Sequence, residues 1–306
     1  MPEELDELNR LFTSKNAEDV IKFYDHFDNT EQLIQWMKNR PSAPMKIYEL
    51  DGDKDVVVVI PVPNHKHPLA ENCANEIFKG QQIVFVESNG PFFNYARSCN
   101  FGLKYALKYK PKWIVLSNDD VIKVDPFSKL KDNLSSIDNK STDFIYITPS
   151  SYHTFTTFLA RGNLLLKLIR FTRGSRYRSY THILLKFSIK YDTVSKFRLS
   201  RGRIFLYKKF YKFVNFGDFA IFSSDFVSKI GKLFDETFIN DYEDLALSLY
   251  ISTHKDVRIK YVDFTLNELI SGTLQRNGLR TFRDIASLCY LQKIIQEYKP
   301  DLVSYK

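Results

Sequence analysis

The sequence predicts an α/β fold in which a mostly parallel sheet is flanked by helices. The first sign is VVVVIPV at 56–62, an unbroken apolar run rich in β-branched residues that suits a strand covered on both faces. The second is the rhythm after it: strand-like and helix-like segments alternate up to residue 148, as in a parallel sheet joined by crossover helices. The third is composition. The 306 residues are 44% hydrophobic and 15% aromatic, enough to bury a large core, and 26% charged, as in ordinary folded chains.

Residues 1–45 are expected to form a helical N-terminal extension. Asn16 is placed to cap a helix reaching about Asn39, with Val20, Tyr24, Phe27, Leu33 and Trp36 among its apolar positions and Asn29-Thr30 as an interruption. Pro41 and Pro44 then punctuate the chain. Region 46–150 follows with the strand 56–62, a helix over 69–79, the strand QIVFVE at 82–87 and a helix over 93–109. Two more strands, KWIVLS at 112–117 and DFIYIT at 143–148, complete this half. Residues 151–215 break the rhythm as a basic, aromatic insertion expected to be largely helical. Region 216–306 resumes with a strand at 217–222, helices at 224–230 and 241–253, a strand at 258–264 and a closing helix from about Thr281 to Glu297.

Charge is concentrated in the insertion. From Ser151 to Asn215 there are fifteen lysines and arginines against one acid, Asp192, a net +14 within a chain of net +8. Such asymmetry marks a separate functional surface. FLARGNLLLKLIRF (158–171) and HILLKFSIKY (182–191) read as helices lying on an anionic membrane, as a lid or oligomer contact, or as a surface for an acidic glycan. Nucleic acid is not among the expected partners. No apolar run approaches the roughly 18 residues that cross a bilayer, and the acidic start MPEELDELNR has no signal-peptide pattern. The three cysteines, Cys73, Cys99 and Cys289, are odd in number and lack zinc spacing. They point to a reduced, cytoplasmic setting, with the cytoplasmic membrane face as the place of any peripheral contact.

Sheets of this kind bind ligands at the carboxyl ends of their strands, so chemistry is sought just after Ile60, Val86 and Leu116. The third strand ends in Ser117-Asn118-Asp119-Asp120. Hard oxygen donors at the mouth of a buried strand suit Mg²⁺ or Mn²⁺, with water and a substrate diphosphate completing the shell. Asn118 and Asp119 also read as an Asx turn that caps the next helix. His65 and His67 suit a solvated loop, and His254 a helix cap.

Across residues 55–255 the chain resembles the family-two glycosyltransferases, whose fold is called GT-A. The resemblance is carried by Pro61 to Asn64 after the first strand, Glu87 closing the second, Asn100 and Gly102 in the following helix, and Asn118 with Asp120 closing the third. It continues in GKLFDETFINDYEDLAL at 231–247, where Phe234, Asp235, Glu236, Phe238, Glu243 and Asp244 fall at the family's offsets. What the resemblance implies is a GT-A-like sheet and transfer of a single sugar, with inversion, from a nucleotide-diphosphate sugar to a glycan or lipid-linked hydroxyl. Asp120 and Asn118 would hold the metal, and Asp244, with Glu243 beside it, would act as general base. Pro61, Asn64, Glu87, Asn89, Arg97, Asn100, Asn118 and Asp119 would face the donor, and Asp235, Glu236 and Asp218 the acceptor. One carboxylate acting as base with direct attack predicts inversion.

The chain departs from the family at three places. Ala246 and Tyr250 stand where the family often has Asp and Arg, and Cys99 where an arginine often precedes the helix asparagine. The Gln-x-x-Arg-Trp motif of processive members is absent, which argues for addition of one sugar. Two alternatives stay open. One is a non-catalytic binder of glycan, lipid or polyanion on a degenerate transferase scaffold. The other, a sugar-nucleotide nucleotidyltransferase, would normally carry glycine and arginine in the first loop, and PVPNHKHP has neither.

Overall fold

A computed structural model describes residues 2–150, 152–160, 164–165, 167–168, 179–198, 211–217, 219–269 and 279–298. Its centre is a seven-stranded sheet in the order β1-β3-β2-β4-β10-β6-β11. In chain order these strands are β1 (Lys46–Leu50), β2 (Asp53–Val62), β3 (Gln81–Glu87), β4 (Trp113–Ser117), β6 (Phe144–Tyr146), β10 (Phe219–Ser223) and β11 (Ile259–Tyr261). Five strands run one way; β1 and β10 run against them. The expectation of a mixed α/β protein with a mostly parallel sheet is met. Strand β1 is an addition: KIYEL is half exposed at the sheet edge and lacks the apolar alternation that would announce it.

Side chains that alternate along β2, β3 and β4 divide the core in two. Val56, Val58, Ile60, Ile83, Phe85, Trp113 and Val115 face one layer, containing α4 (Pro68–Asn72), its π-helical continuation Cys73–Ile77, and α6 (Phe127–Ser135). Val57, Val59, Val84, Val86, Ile114 and Leu116 face the other, formed by α5 (Tyr95–Ala106), α8 (Ser224–Ile230) and one side of α9 (Glu243–Thr253). Period-two alternation inside a continuous apolar run is what a strand covered on both faces requires.

Helix α5 reaches the sheet because residue 102 has no side chain. A Cβ on Gly102 would lie 2.4 Å from Val59 Cγ1 and 2.6 Å from Val86 Cγ2. Gly102→Ala is therefore expected to destabilise the fold by about 1–3 kcal/mol through overpacking, despite the better helix propensity of alanine. Urea denaturation measures this, and an unchanged midpoint would contradict the close approach.

The N-terminal extension is three helices, α1 (Pro2–Thr13), α2 (Ala17–Asp25) and α3 (Thr30–Asn39). Asn16 caps α2 through the amide of Glu18, and Asn29 caps α3 through that of Gln32. The single interrupted helix expected here is thus two helices, split at Asn29. This extension shares one core with α7 (Thr181–Lys190), α9 and the closing helix α10 (Arg280–Tyr298). Tyr24 Oη donates to the Phe282 carbonyl at 2.6 Å, and Arg283 binds the carbonyls of Phe12 and Ser14 at 3.1 and 3.0 Å. Helix α9 is consequently clamped between two layers: Leu247 and Ile251 face the sheet side, Leu245 and Leu249 the helical side.

The insertion is not largely helical where it is described. Strands β7 (Phe155–Ala160), β8 (Ser195–Arg198) and β9 (Tyr211–Asn215) form an antiparallel sheet with β7 in the middle, and α7 lies between β7 and β8 in the chain. The physical reason is in FTTFLA, where threonine and aromatic residues favour a pleated surface and Thr157, Phe158, Leu159 and Ala160 are all buried. Much of 158–171 lies outside the described residues. A final ribbon pairs β5 (Val121–Lys123) with β12 (Leu266–Glu268). Among the described residues no helix is long and apolar enough to cross a membrane.

Candidate active site

Two acidic segments, 118–120 after β4 and 243–244 opening α9, are connected through a few hydrogen bonds. Phe219 of β10 pairs with Ser117 of β4, the residue before Asn118. Just upstream, the amide nitrogen of the buried Asn215 donates to Asp244 Oδ2 at 3.0 Å. Asn215 is held in turn, since Ser248 Oγ donates to its Oδ1 at 2.8 Å and receives the Phe216 amide at 3.2 Å. Asp244 and Ser248, one helical turn apart, share the face of α9 that turns to Asn215. A second link runs through Tyr95. Its hydroxyl donates to Asn118 Oδ1 at 2.6 Å, while its backbone N–H donates to Asn240 Oδ1 at 2.8 Å, three residues before Glu243.

Asp119 and Asp120 are 4% and 6% exposed. The Asp120 carbonyl accepts from the Leu269 amide at 2.9 Å, which continues the β5–β12 ribbon and fixes the backbone after the motif. Cys73 Sγ donates to the Asp119 carbonyl at 3.1 Å. Burial, then the negative field of Asp119 and Asp120, pushes the Cys73 thiol up to about 12, so it stays protonated beside the carboxylates. As a donor set Asn118 and Asp120 fit a hard divalent cation: a carboxylate plus an amide oxygen that keeps a lone pair beyond the one Tyr95 uses. Among the described residues no three His, Cys, Asp or Glu side chains gather into a full metal cage. An ion here would depend on water and phosphate oxygens for the remaining positions.

The first two strand ends form a linked wall. Pro61 lies buried within β2 opposite Val86, and Val62 opposite Glu87. Asn64 Oδ1 accepts from the Lys66 amide at 2.9 Å, an Asx turn that bends the loop, and Asn89 Nδ2 ties it to the Pro63 carbonyl at 3.1 Å. His65 is not a freely solvated loop residue. Its Nδ1 lies 2.7 Å from Glu87 Oε2, its amide donates to the same oxygen at 3.0 Å, and its ring stacks on Tyr48 with centroids 3.6 Å apart. The hydrogen bond from His65 holds the Glu87 carboxyl below its ordinary range. Glu87 is therefore ionised and oriented, with Oε1 turned to other partners. His67 caps α4, and His254 caps α9 and packs on Tyr250.

The loop before α9 is pinned from three directions. Asn100 exchanges hydrogen bonds with Phe234, donating to its carbonyl at 2.8 Å and accepting from its amide at 3.0 Å, and also reaches Glu236 Oε1 at 3.1 Å. Asn94 donates to the Glu236 carbonyl at 2.8 Å. Arg40, at the end of α3, donates to the carbonyls of Met37, Thr237, Glu236 and Phe238 at 2.6, 2.8, 3.1 and 2.5 Å. Burial pulls the Arg40 guanidinium down to about 10, opposed by the nearby acids Glu243 and Asp235. Asp235 is spent on the Thr237 amide at 2.9 Å and the Tyr290 hydroxyl at 2.5 Å, and Glu236 on Asn100 and Lys232. Asn100, Asp235 and Glu236 thus shape the loop.

The last turn before the helix is strained. Asn240 and Tyr242 adopt φ of +53° and +75°, a left-handed conformation costly for residues with a side chain. Between them Asp241 pairs with Arg280 of α10. This turn delivers Glu243, 6% exposed, and Asp244 at the first turn of α9, where the helix dipole favours negative charge.

Arg97 lies elsewhere. It contacts Ser42 and lines a cavity of about 560 Å³ together with Lys38, Lys232, Ala246 and Tyr250, on the face of α9 turned away from Asp244. The two departures at Ala246 and Tyr250 therefore fall outside the edge that joins Asn118 to Asp244. Asp218 lies outside the described residues. Sequence reading missed Tyr95, Arg40 and Asn215. Only Asn215 left a trace, as a polar residue closing an apolar stretch. No protein-family model matches the chain, and no curated protein shows significant similarity to it.

Proposed function

We propose that the protein is a metal-assisted, inverting glycosyltransferase of the GT-A type that moves one sugar from a nucleotide-diphosphate donor to an acceptor hydroxyl. The observation that carries this reading is the β4–β10 register together with the Asn215–Asp244 bond. They support it by linking the chain beside a metal-type motif to a helix-borne carboxylate, the two groups a two-substrate transfer needs. Asn118 and Asp120 would hold Mn²⁺ or Mg²⁺, whose chemistry is neutralisation of the diphosphate leaving group. Asp244 would take the acceptor proton. Its Oδ2 receives the Asn215 amide, which orients the carboxylate and leaves Oδ1 for the alcohol. Tyr95 keeps the two parts in register, and Glu87, held by His65, would face the nucleoside. The acceptor is proposed to be a glycan or a lipid-linked hydroxyl.

A thermal-shift screen of UDP-, GDP- and dTDP-sugars with and without Mn²⁺ tests the donor side. A ligand that binds the folded state raises the melting temperature. At least one donor is expected to do so in a Mn²⁺-dependent manner, and Asp120→Ala to abolish that dependence. Donor shifts indifferent to Mn²⁺ and to Asp120 would contradict the assignment of the metal side.

A further inference from the structure

The insertion carries a surface that the proposed reaction does not use. Helix α7 buries Leu184 and Phe187 in the helical core, so the apolar side that an interfacial helix would offer to lipid is already spent. Its outward stripe is His182, Lys186, Ile189 and Lys190, all exposed at helical spacing. Lys167 fastens a second piece against the end of this helix: its ammonium donates to the Ser188 carbonyl at 3.0 Å and lies 4.0 Å from Asp192. With that lysine only 5% exposed, its neighbours point the other way, and Leu164, Leu165 and Leu168 are 56%, 53% and 40% exposed. Ile189, next to Ser188, is 53% exposed.

Single exposed hydrophobics are ordinary on any surface, but here four sit within one helical turn of a shared anchor and beside two lysines. Among the described residues Lys186 pairs with Asp25 at 3.7 Å and lies over the Phe187 ring, weak surface contacts that leave its charge able to meet another partner. Three kinds of occupant can be weighed on charge and polarity. A second copy of this chain would press the +14 segment against itself. A soluble polyanion would meet the lysines and leave the leucines in water. An anionic bilayer satisfies both, with phosphates for the ammonium groups and an acyl boundary for the leucines.

We propose that this corner, Leu164, Leu165, Leu168 and Ile189 ringed by Lys186 and Lys190, docks the protein on an anionic membrane surface. The inference stands apart from the proposed reaction, because docking is measured without donor or acceptor. The test is co-sedimentation of the full chain, at low salt, with vesicles of phosphatidylcholine alone or mixed with phosphatidylglycerol. Binding is expected to the mixed vesicles and not to the neutral ones. Lys186→Glu with Lys190→Glu should weaken it at least about ten-fold, since each cation near an anionic surface contributes several-fold. Leu164→Ser, Leu165→Ser and Leu168→Ser together should weaken it comparably with an unchanged melting temperature, since those side chains are exposed. Absence of binding by the wild-type chain overturns the proposal. So does binding that the leucine changes leave intact, which would mark a purely electrostatic polyanion surface. Concentration-dependent self-association without vesicles, abolished by the same leucine changes, would assign the patch to a second copy instead.

Discussion

Asp244→Asn is expected to lower sugar transfer by about 10²–10⁴-fold, the usual contribution of a positioned general base. Donor binding and folding should survive. The substitution keeps size and shape, and an amide oxygen can still accept the Asn215 N–H bond observed at 3.0 Å. What is lost is the proton acceptor at the other oxygen. Turnover with saturating donor and acceptor should fall while the donor-dependent rise in melting temperature persists. Retention of full turnover would remove Asp244 from the chemistry. Loss of donor binding along with turnover would mean that the carboxylate instead serves the donor pocket. Asn215→Ala provides a companion reading: a carboxylate that has lost its orienting partner should act more slowly without being lost.

Arg40→Met is the second large effect, and it acts on structure first. The guanidinium serves four carbonyls, three of them in the loop that leads to the strained turn at 240–242. Methionine fills comparable volume but donates nothing. Leaving a buried carbonyl unsatisfied costs about 1–3 kcal/mol, and several are affected here. A loss of about 3 kcal/mol or more in unfolding free energy is therefore expected from chemical denaturation, on the scale of breaking a buried charged network. Because the turn positions Glu243 and Asp244, transfer by the folded fraction should fall as well. Arg40→Lys should lie between, since one ammonium cannot span carbonyls that a planar fork reaches together. If Arg40→Met unfolds at the wild-type midpoint, the N-terminal extension does not brace the site in this way.

Much of this architecture was legible in the residues. Val56–Val62 reads as a doubly covered strand because β-branched residues without polar interruption have few other uses, and it is an interior strand between β3 and β4. Asn16 reads as a cap because its short side chain competes for backbone amides, and it does cap a helix; Asn29, which reads only as an interruption, caps a second one. Other features were hidden for physical reasons. Strand β1 takes its order from pairing with β3 and shows no apolar face of its own. Strands β8 and β9 of the insertion were concealed by their lysines and arginine, which helices and strands both carry on their solvent sides. Arg40 follows a helix like any terminal cation, and only the fold brings residues 236–238 to it. Tyr95 lies in a segment that reads simply as helix, whereas its hydroxyl and amide tie Asn118 to Asn240. His65 and Glu87, 22 residues apart, become partners only when β2 and β3 pair in parallel. Local chemistry is visible in local sequence, and couplings across the sheet are not.

Asp120 and Asp244 are proposed to serve one reaction. Release of nucleoside diphosphate from a panel of nucleotide sugars, measured with Mn²⁺ in the wild-type chain and in the Asp120→Ala and Asp244→Asn variants, tests it most directly. The account predicts Mn²⁺-dependent release from at least one donor, accelerated by a suitable acceptor alcohol and lost in both variants. Release that persists in both variants, or tight donor binding with no release under any acceptor, would contradict it.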